Sequence, residues 1–341
     1  MEPGKCRWRG ARTCIEPFSI EEPAPIALGI VRQRFRCDEN GLRGQLSPAV
    51  TTGEYTSMSA VTRAVFGESD SMVRDDRVLR VTRWSGYVIA PVLFLAFITL
   101  YPFPGETDVY FAWEISPDLT PLLMGAGYGA GVYFFLRVVT VDEWHRVDVL
   151  FPGIAVFTLA MGIATYLHWD AFNHGHFSTW LWVALYVITP VLIPALWIHN
   201  GRTDPRALRP GQLEIPRVVR YTSGIVGVVM SVAITVLFVN PDWMVAEWPW
   251  AVSPLTSRVL LGWAAVFSVV NVYIAFERRW SAAKIPIHSL VIWFGLMLLG
   301  FVRSWGDVDA SNPILWVVVG GIVVYLVGLS GLYVFMENRE S

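Results

Sequence analysis

The feature that most constrains this chain is a series of eight long apolar runs. They lie near residues 84–102, 118–137, 148–168, 178–199, 219–240, 256–276, 285–303 and 313–335, and none has Asp, Glu or Lys in its central portion. About 20 apolar residues cross the hydrocarbon core of a bilayer as a helix, and there every backbone polar group must be satisfied within the protein. Eight such runs joined by short loops predict an all-α polytopic membrane bundle of eight transmembrane helices, with antiparallel neighbours. Only 16% of residues are charged and 54% are hydrophobic, against about 25% charged in soluble domains. That composition excludes disorder over most of the length, a collagen-like fibre and a disulfide-stapled mini-protein.

The loops set an orientation. Fifteen Arg and Lys residues between Arg74 and Arg339 flank one end of the runs, against Arg258 and Arg303 at the other. Positive residues are retained on the cytoplasmic side, so both termini are expected inside. The opposite end carries Trp113, Trp169, Trp180, Trp182, Trp243, Trp248, Trp250, Trp305 and Trp316, read as an aromatic belt at the headgroup level. Residues 1–80 mix Arg, Glu, Pro, Gly and Ser without lasting periodicity and read as disordered, or as an extension upstream of a start at Met58 or Met72. The stretch 58–80 has the composition of a short basic surface helix, with Arg63, Arg74, Arg77 and Arg80. Cys6, Cys14 and Cys37 all precede the first run, so no thiol chemistry belongs to the spans.

Sliding the chain by 137 residues aligns Arg83 with Arg220, Pro104 with Pro241, Trp113-Glu-Ile-Ser-Pro117 with Trp250-Ala-Val-Ser-Pro254, Gly125 with Gly262 and Asp170 with Asp307. Eleven identities fall between 83–137 and 220–274. Composition alone yields several of these, but the shared W-x-[IV]-S-P run does not follow from composition. The expected organisation is a four-helix repeat at 81–200, a cytoplasmic linker at 201–217 and a second repeat at 218–341. An even number of spans makes the repeats parallel, related by an axis along the membrane normal. Ser116-Pro117 and Ser253-Pro254 read as helix starts, with serine as N-cap and proline in the first turn, anchored by Trp113 and Trp250. Gly125, Gly127, Gly129 and Gly131 let helices approach closely, and Gly320, Gly321, Gly328 and Gly331 read likewise.

Polar chemistry is sparse. Asn271 is the one side-chain amide deep in a run, and Tyr128 is among the few hydroxyls. The densest polar segment is Leu167-His-Trp-Asp-Ala-Phe-Asn-His-Gly-His176. Its His168, Asp170, His174 and His176 are candidate ligands for a divalent metal or a polar substrate. They are equally an interfacial loop meeting water, since the spacing matches no zincin motif. Arg303 and Asp307 sit at the matching place in the second half and could pair. His145, His199 and His288 lie at span ends, which gives little support for haem. No P-loop, GxGxxG or GxSxG is present, and a serine-hydrolase triad would need carboxylates that the spans lack. Nucleic acid is excluded as a partner, because the basic residues are spread over membrane-flanking loops.

Phe111-Ala-Trp-Glu-Ile-Ser-Pro117, Gly125-Ala-Gly-Tyr128 and Ala164-Thr-Tyr-Leu-His-Trp-Asp-Ala-Phe172 together resemble an uncharacterised family of prokaryotic multi-pass membrane proteins. The resemblance covers roughly residues 84–200. It implies an eight-span protein of the prokaryotic inner (plasma) membrane and carries no activity, cofactor or catalytic role. The expected function is a small-molecule permease or a binding and sensing protein, with its site between the repeats near the outer face. The alternatives are a metal-dependent enzyme at the His168–His176 loop, or a structural subunit of another assembly. The reading leans away from an enzyme, establishes no cofactor and leaves the oligomeric state open.

Overall fold

The computed structural model describes residues 74–340. The three cysteines, Arg63 and both candidate starts lie outside that range. Among the described residues, eight helices are long and apolar enough to cross a membrane, and the chain is an all-α integral membrane protein. They are α1 (Arg80–Leu100), α2 (Leu119–Thr140), α3 (Phe151–Leu167), α4 (Phe177–Gly201), α5 (Arg217–Val239), α6 (Pro254–Ile274), α7 (Trp280–Arg303) and α8 (Pro313–Glu340).

Packing follows one plan in both halves. Helix α1 lies on α2 and α5 on α6, while α3 lies on α4 and α7 on α8. The halves interlock through α2 against α7 and α6 against α3. These four form the centre: in the apolar 18-residue stretches of the second, third, sixth and seventh spans 61, 50, 56 and 50% of residues are buried, against 17, 28, 11 and 11% in those of the first, fourth, fifth and eighth. The outer four turn valines and leucines toward lipid because the bilayer is as apolar as a core. Glycine sets the closest approaches. A Cβ on Gly227 would lie 2.6 Å from Val272 N and 2.7 Å from Ser268 O, and one on Gly127 would lie 2.7 Å from the Trp263 ring. The α8 glycines differ from expectation: a Cβ on Gly320, Gly321, Gly328 or Gly331 meets nothing within 4 Å, so they mediate no close helix approach among the described residues.

The loops repeat several hydrogen bonds at equivalent positions. At the basic end, an isolated bridge joins Arg77 to Glu143 and another joins Glu214 to Arg279. Val78 N donates to Asp142 O as Ile215 N does to Arg278 O, and Trp144 N donates to Asp76 O as Trp280 N does to Leu213 O. At the tryptophan-rich end, Asn173 N reaches Ala112 O and Asp309 N reaches Pro249 O. Trp180 Nε1 bonds His174 O, and Trp316 Nε1 bonds Ala310 O. Each correspondence is a shift of 136 or 137. The second half is one residue shorter after its second span, so Trp169 matches Trp305 while Asp170 and Asp307 fall one out of step.

Arg74–Leu79, the end of the stretch expected to be disordered or a basic surface helix, is neither. It is irregular and pinned: Asp76 N donates to Thr203 O, and Leu79 N to Asn200 Oδ1. The serine caps divide. Ser253 is the N-cap of α6, its Oγ accepting from Thr256 N at 3.1 Å with Pro254 in the first turn. Ser116 caps nothing: α2 starts at Leu119, and Leu119 N donates instead to Asp307 Oδ2 of the other half at 2.9 Å. The Ser116–Pro117 bond is cis, and Pro117 lies two residues ahead of the first residue of the helix.

Candidate functional site

The structure separates the residues that the sequence grouped in the 168–176 loop. His168 Nε2 meets Arg258 Nη1 at 2.7 Å. Burial first, and the Arg258 charge second, lower its pKa and favour the neutral ring. Asp170 is exposed. His174 is exposed and stacks against Trp169, with centroids 4.7 Å apart. His176 bonds Phe111 O through Nδ1 and the Asn173 amide through Nε2. Among the described residues, no group of three or more His, Cys, Asp and Glu side chains could hold a metal ion. Arg303 and Asp307 also part: Arg303 Nη1 donates to Tyr101 O at 2.7 Å and its guanidinium lies over the Tyr101 ring, while Asp307 caps α2.

Trp113 and Trp250 are not belt residues. Both are 4% exposed, because the chain folds back under the bundle before α2 and α6. Trp113 packs edge-on against Phe172 and Trp182, and Trp250 Nε1 donates to Thr120 Oγ1. The exposed indoles at this end are Trp169, Trp180, Trp243, Trp305 and Trp316.

Two lateral clefts run from this end toward the middle of the bundle. The first, about 440 Å³, opens between α1 and α4, with Leu93, Leu181 and Leu185 as walls, Phe111 and His176 at the rim, and Tyr128 and Tyr186 on its floor. Those tyrosine hydroxyls bond one another at 3.0 Å. The second, about 460 Å³, opens between α5 and α8, with Met230, Val317 and Gly321 as walls and Trp248 and Trp250 at the rim. Leu93 and Met230, Phe111 and Trp248, and Leu185 and Gly321 are equivalent positions, so each half owns one cleft. Tyr325 also lines the second, its hydroxyl donating to Asn271 Oδ1 at 2.9 Å, and Asn271 Nδ2 turns back to Phe267 O. Trp248, Trp263 and Trp293 also line this cleft, and each has a buried indole N–H with no hydrogen-bond partner among the described residues. A smaller cavity of about 100 Å³, bounded by Gly127, Phe134, Phe157 and Trp293, sits between the halves.

The basic end holds a polar cluster that sequence reasoning missed. Arg279 is buried between Asp204 and Glu277, with Nη1 to Asp204 Oδ1 at 2.7 Å and Nη2 to Glu277 Oε2 at 2.7 Å. Burial opposes charge on Asp204, but hydrogen bonds from Arg279 and the Arg206 amide, with the Arg279 charge, outweigh it and hold the carboxyl below its ordinary value. Burial likewise opposes charge on Arg279, and its two acidic partners drive its pKa up. Beside it, His145 Nδ1 lies 2.5 Å from Asp76 Oδ2, and His145 Nε2 lies 2.8 Å from Ser281 Oγ. His145 and Ser281 are equivalent positions, each following a tryptophan 136 residues apart. The Glu143-Trp-His and Arg279-Trp-Ser runs were therefore the available signal, readable only after the one-residue shift. No family model matches this chain, and no match appears among curated proteins or solved structures.

Proposed function

We propose that this protein binds small, largely apolar molecules bearing oxygen acceptors, in the paired clefts near its outer face, as a permease or sensor of the prokaryotic plasma membrane. Both termini then lie in the cytoplasm, and the chain descends from a duplicated four-helix unit. The carrying observation is the second cleft: some 460 Å³ of apolar space with three partnerless indole donors around it. These N–H groups are covered by protein atoms; a buried donor left unmade costs about 1–3 kcal/mol, so a ligand oxygen that reaches one on a small turn of its ring gains what the protein alone forgoes. Hydrocarbon walls with a few fixed polar groups are the usual build of a small-molecule site. The openings face the flank of the bundle, which suits entry from lipid rather than from water. The clefts lie within the halves, whereas the sequence suggested a site between them. The small central cavity, about 100 Å³, supports a site between the halves less well.

The test is thermal stability of purified protein with a medium-chain ketone and with the alkane of equal length. The ketone should raise the melting temperature more than the alkane. Gly321→Phe should abolish the difference by filling the cleft, and Trp293→Phe should reduce it by removing one donor. Equal shifts from ketone and alkane, or none from either, would reject the reading.

A further inference from the structure

The geometry points to a second site at the basic end: Ser281 is a nucleophile, His145 its general base and Asp76 the positioning residue, acting on carboxylic esters with an apolar acyl chain. Asp76 Oδ1 accepts the His145 amide at 3.1 Å, and its Oδ2 faces both His145 Nδ1 and, at 3.3 Å, Arg209 Nη2. The carboxylate is an acceptor in every one of these contacts, so Nδ1 carries the ring hydrogen and Nε2 presents its lone pair to Ser281 Oγ. That is the tautomer a base needs to take the serine proton.

Exposure divides the three as the chemistry requires. His145 and Asp76 are buried, which fixes the ring, while Ser281 is only partly buried. Asp76 is further held at φ 60°, between hydrogen bonds from its N to Thr203 O and from Trp144 N to its O. A non-glycine residue kept there is overdetermined by its surroundings, as residues at functional sites often are. Ser281 is the second residue of α7, at the level where the apolar span begins. An ester whose chain lies in the bilayer carries its carbonyl at about that depth. The first turn of α7 adds the positive end of a helix dipole where the carbonyl oxygen would become anionic.

The reaction balances without a cofactor. Ser281 Oγ bonds to the carbonyl carbon as its proton passes to His145 Nε2. The C–O bond to the alcohol breaks, and that proton leaves with the alcohol. Water then attacks the acyl-serine, giving a proton to Nε2, and the carboxylic acid departs as Ser281 Oγ recovers it. The carboxylate comes from the segment ahead of α1, which is why spans empty of acids do not forbid the triad.

The experiment treats the full-length protein in detergent with an alkyl fluorophosphonate, maps the adduct by peptide mass, and follows hydrolysis of p-nitrophenyl butyrate. Wild type should be labelled at Ser281 and turn over the ester, and Ser281→Ala should do neither. Asp76→Asn keeps the shape but favours the wrong tautomer. It should slow labelling by about 10²-fold or more, with the melting temperature little changed. Labelling is read with no cleft ligand present, so failure here and failure of the cleft reading are separable. No labelling of folded wild type, or an adduct on another serine, overturns the proposal and leaves the Asp76–His145–Ser281 chain as a latch between the halves.

Discussion

Replacing Arg279 with methionine should cost this protein more than any surface charge change. The side chain is 5% exposed and lies between Asp204 and Glu277, which are 2% and 8% exposed. Methionine fills much of the volume but leaves two carboxylates buried without their cation. Breaking a buried pair from one side costs about 3–5 kcal/mol, and neutralising the whole group with residues of similar volume is often nearly neutral. Arg279→Met alone should therefore lower unfolding free energy by about 3–5 kcal/mol, measured by SDS titration in mixed micelles near pH 7. The triple variant Arg279→Met, Asp204→Asn, Glu277→Gln should recover most of that loss. The pH dependence has a definite sign. Asp204 is held below its ordinary pKa in the folded state. Its contribution is present in full above the unfolded value, near about 3.9, and drains as pH falls through the lower folded value. Asp204→Asn should flatten the acid limb of the stability profile below about pH 4. A single variant within about 1 kcal/mol of wild type, or a triple no better than the single, would refute the reasoning.

Ser253→Ala should cost about 1 kcal/mol as a lost N-cap, while Ser116→Ala should leave helix stability unchanged, both read in the same titration. Gly227→Ala should destabilise by about 1–3 kcal/mol through overpacking, because its Cβ would meet the α6 backbone, whereas Gly320→Ala points into open space and should be tolerated. In cells, an impermeant thiol reagent should reach Glu247→Cys and not Ala207→Cys, both exposed positions. The reverse pattern would invert the topology.

The sequence by itself determined that this is a membrane bundle of eight spans, because a run of some 20 apolar residues has only one low-energy fate in water and lipid. It also located the glycine-lined face of α2 and the cap at Ser253, since those depend on neighbours a few residues away. Tertiary structure decided the rest. Trp113 and Trp250 look like interfacial anchors in sequence, yet the chain folds them under the bundle. The cap of α2 comes from Asp307, 188 residues away, and no local signal points to it. The loop histidines gather in sequence but part in space, because each finds a nearer partner: Arg258, the Trp169 ring or the Phe111 carbonyl. Asp76, His145 and Ser281 are dispersed in sequence and meet because the halves interlock α2 with α7 and α6 with α3. Periodicity and composition record what a residue prefers locally. They are silent on which distant residue arrives beside it, and both proposed sites are built from such arrivals.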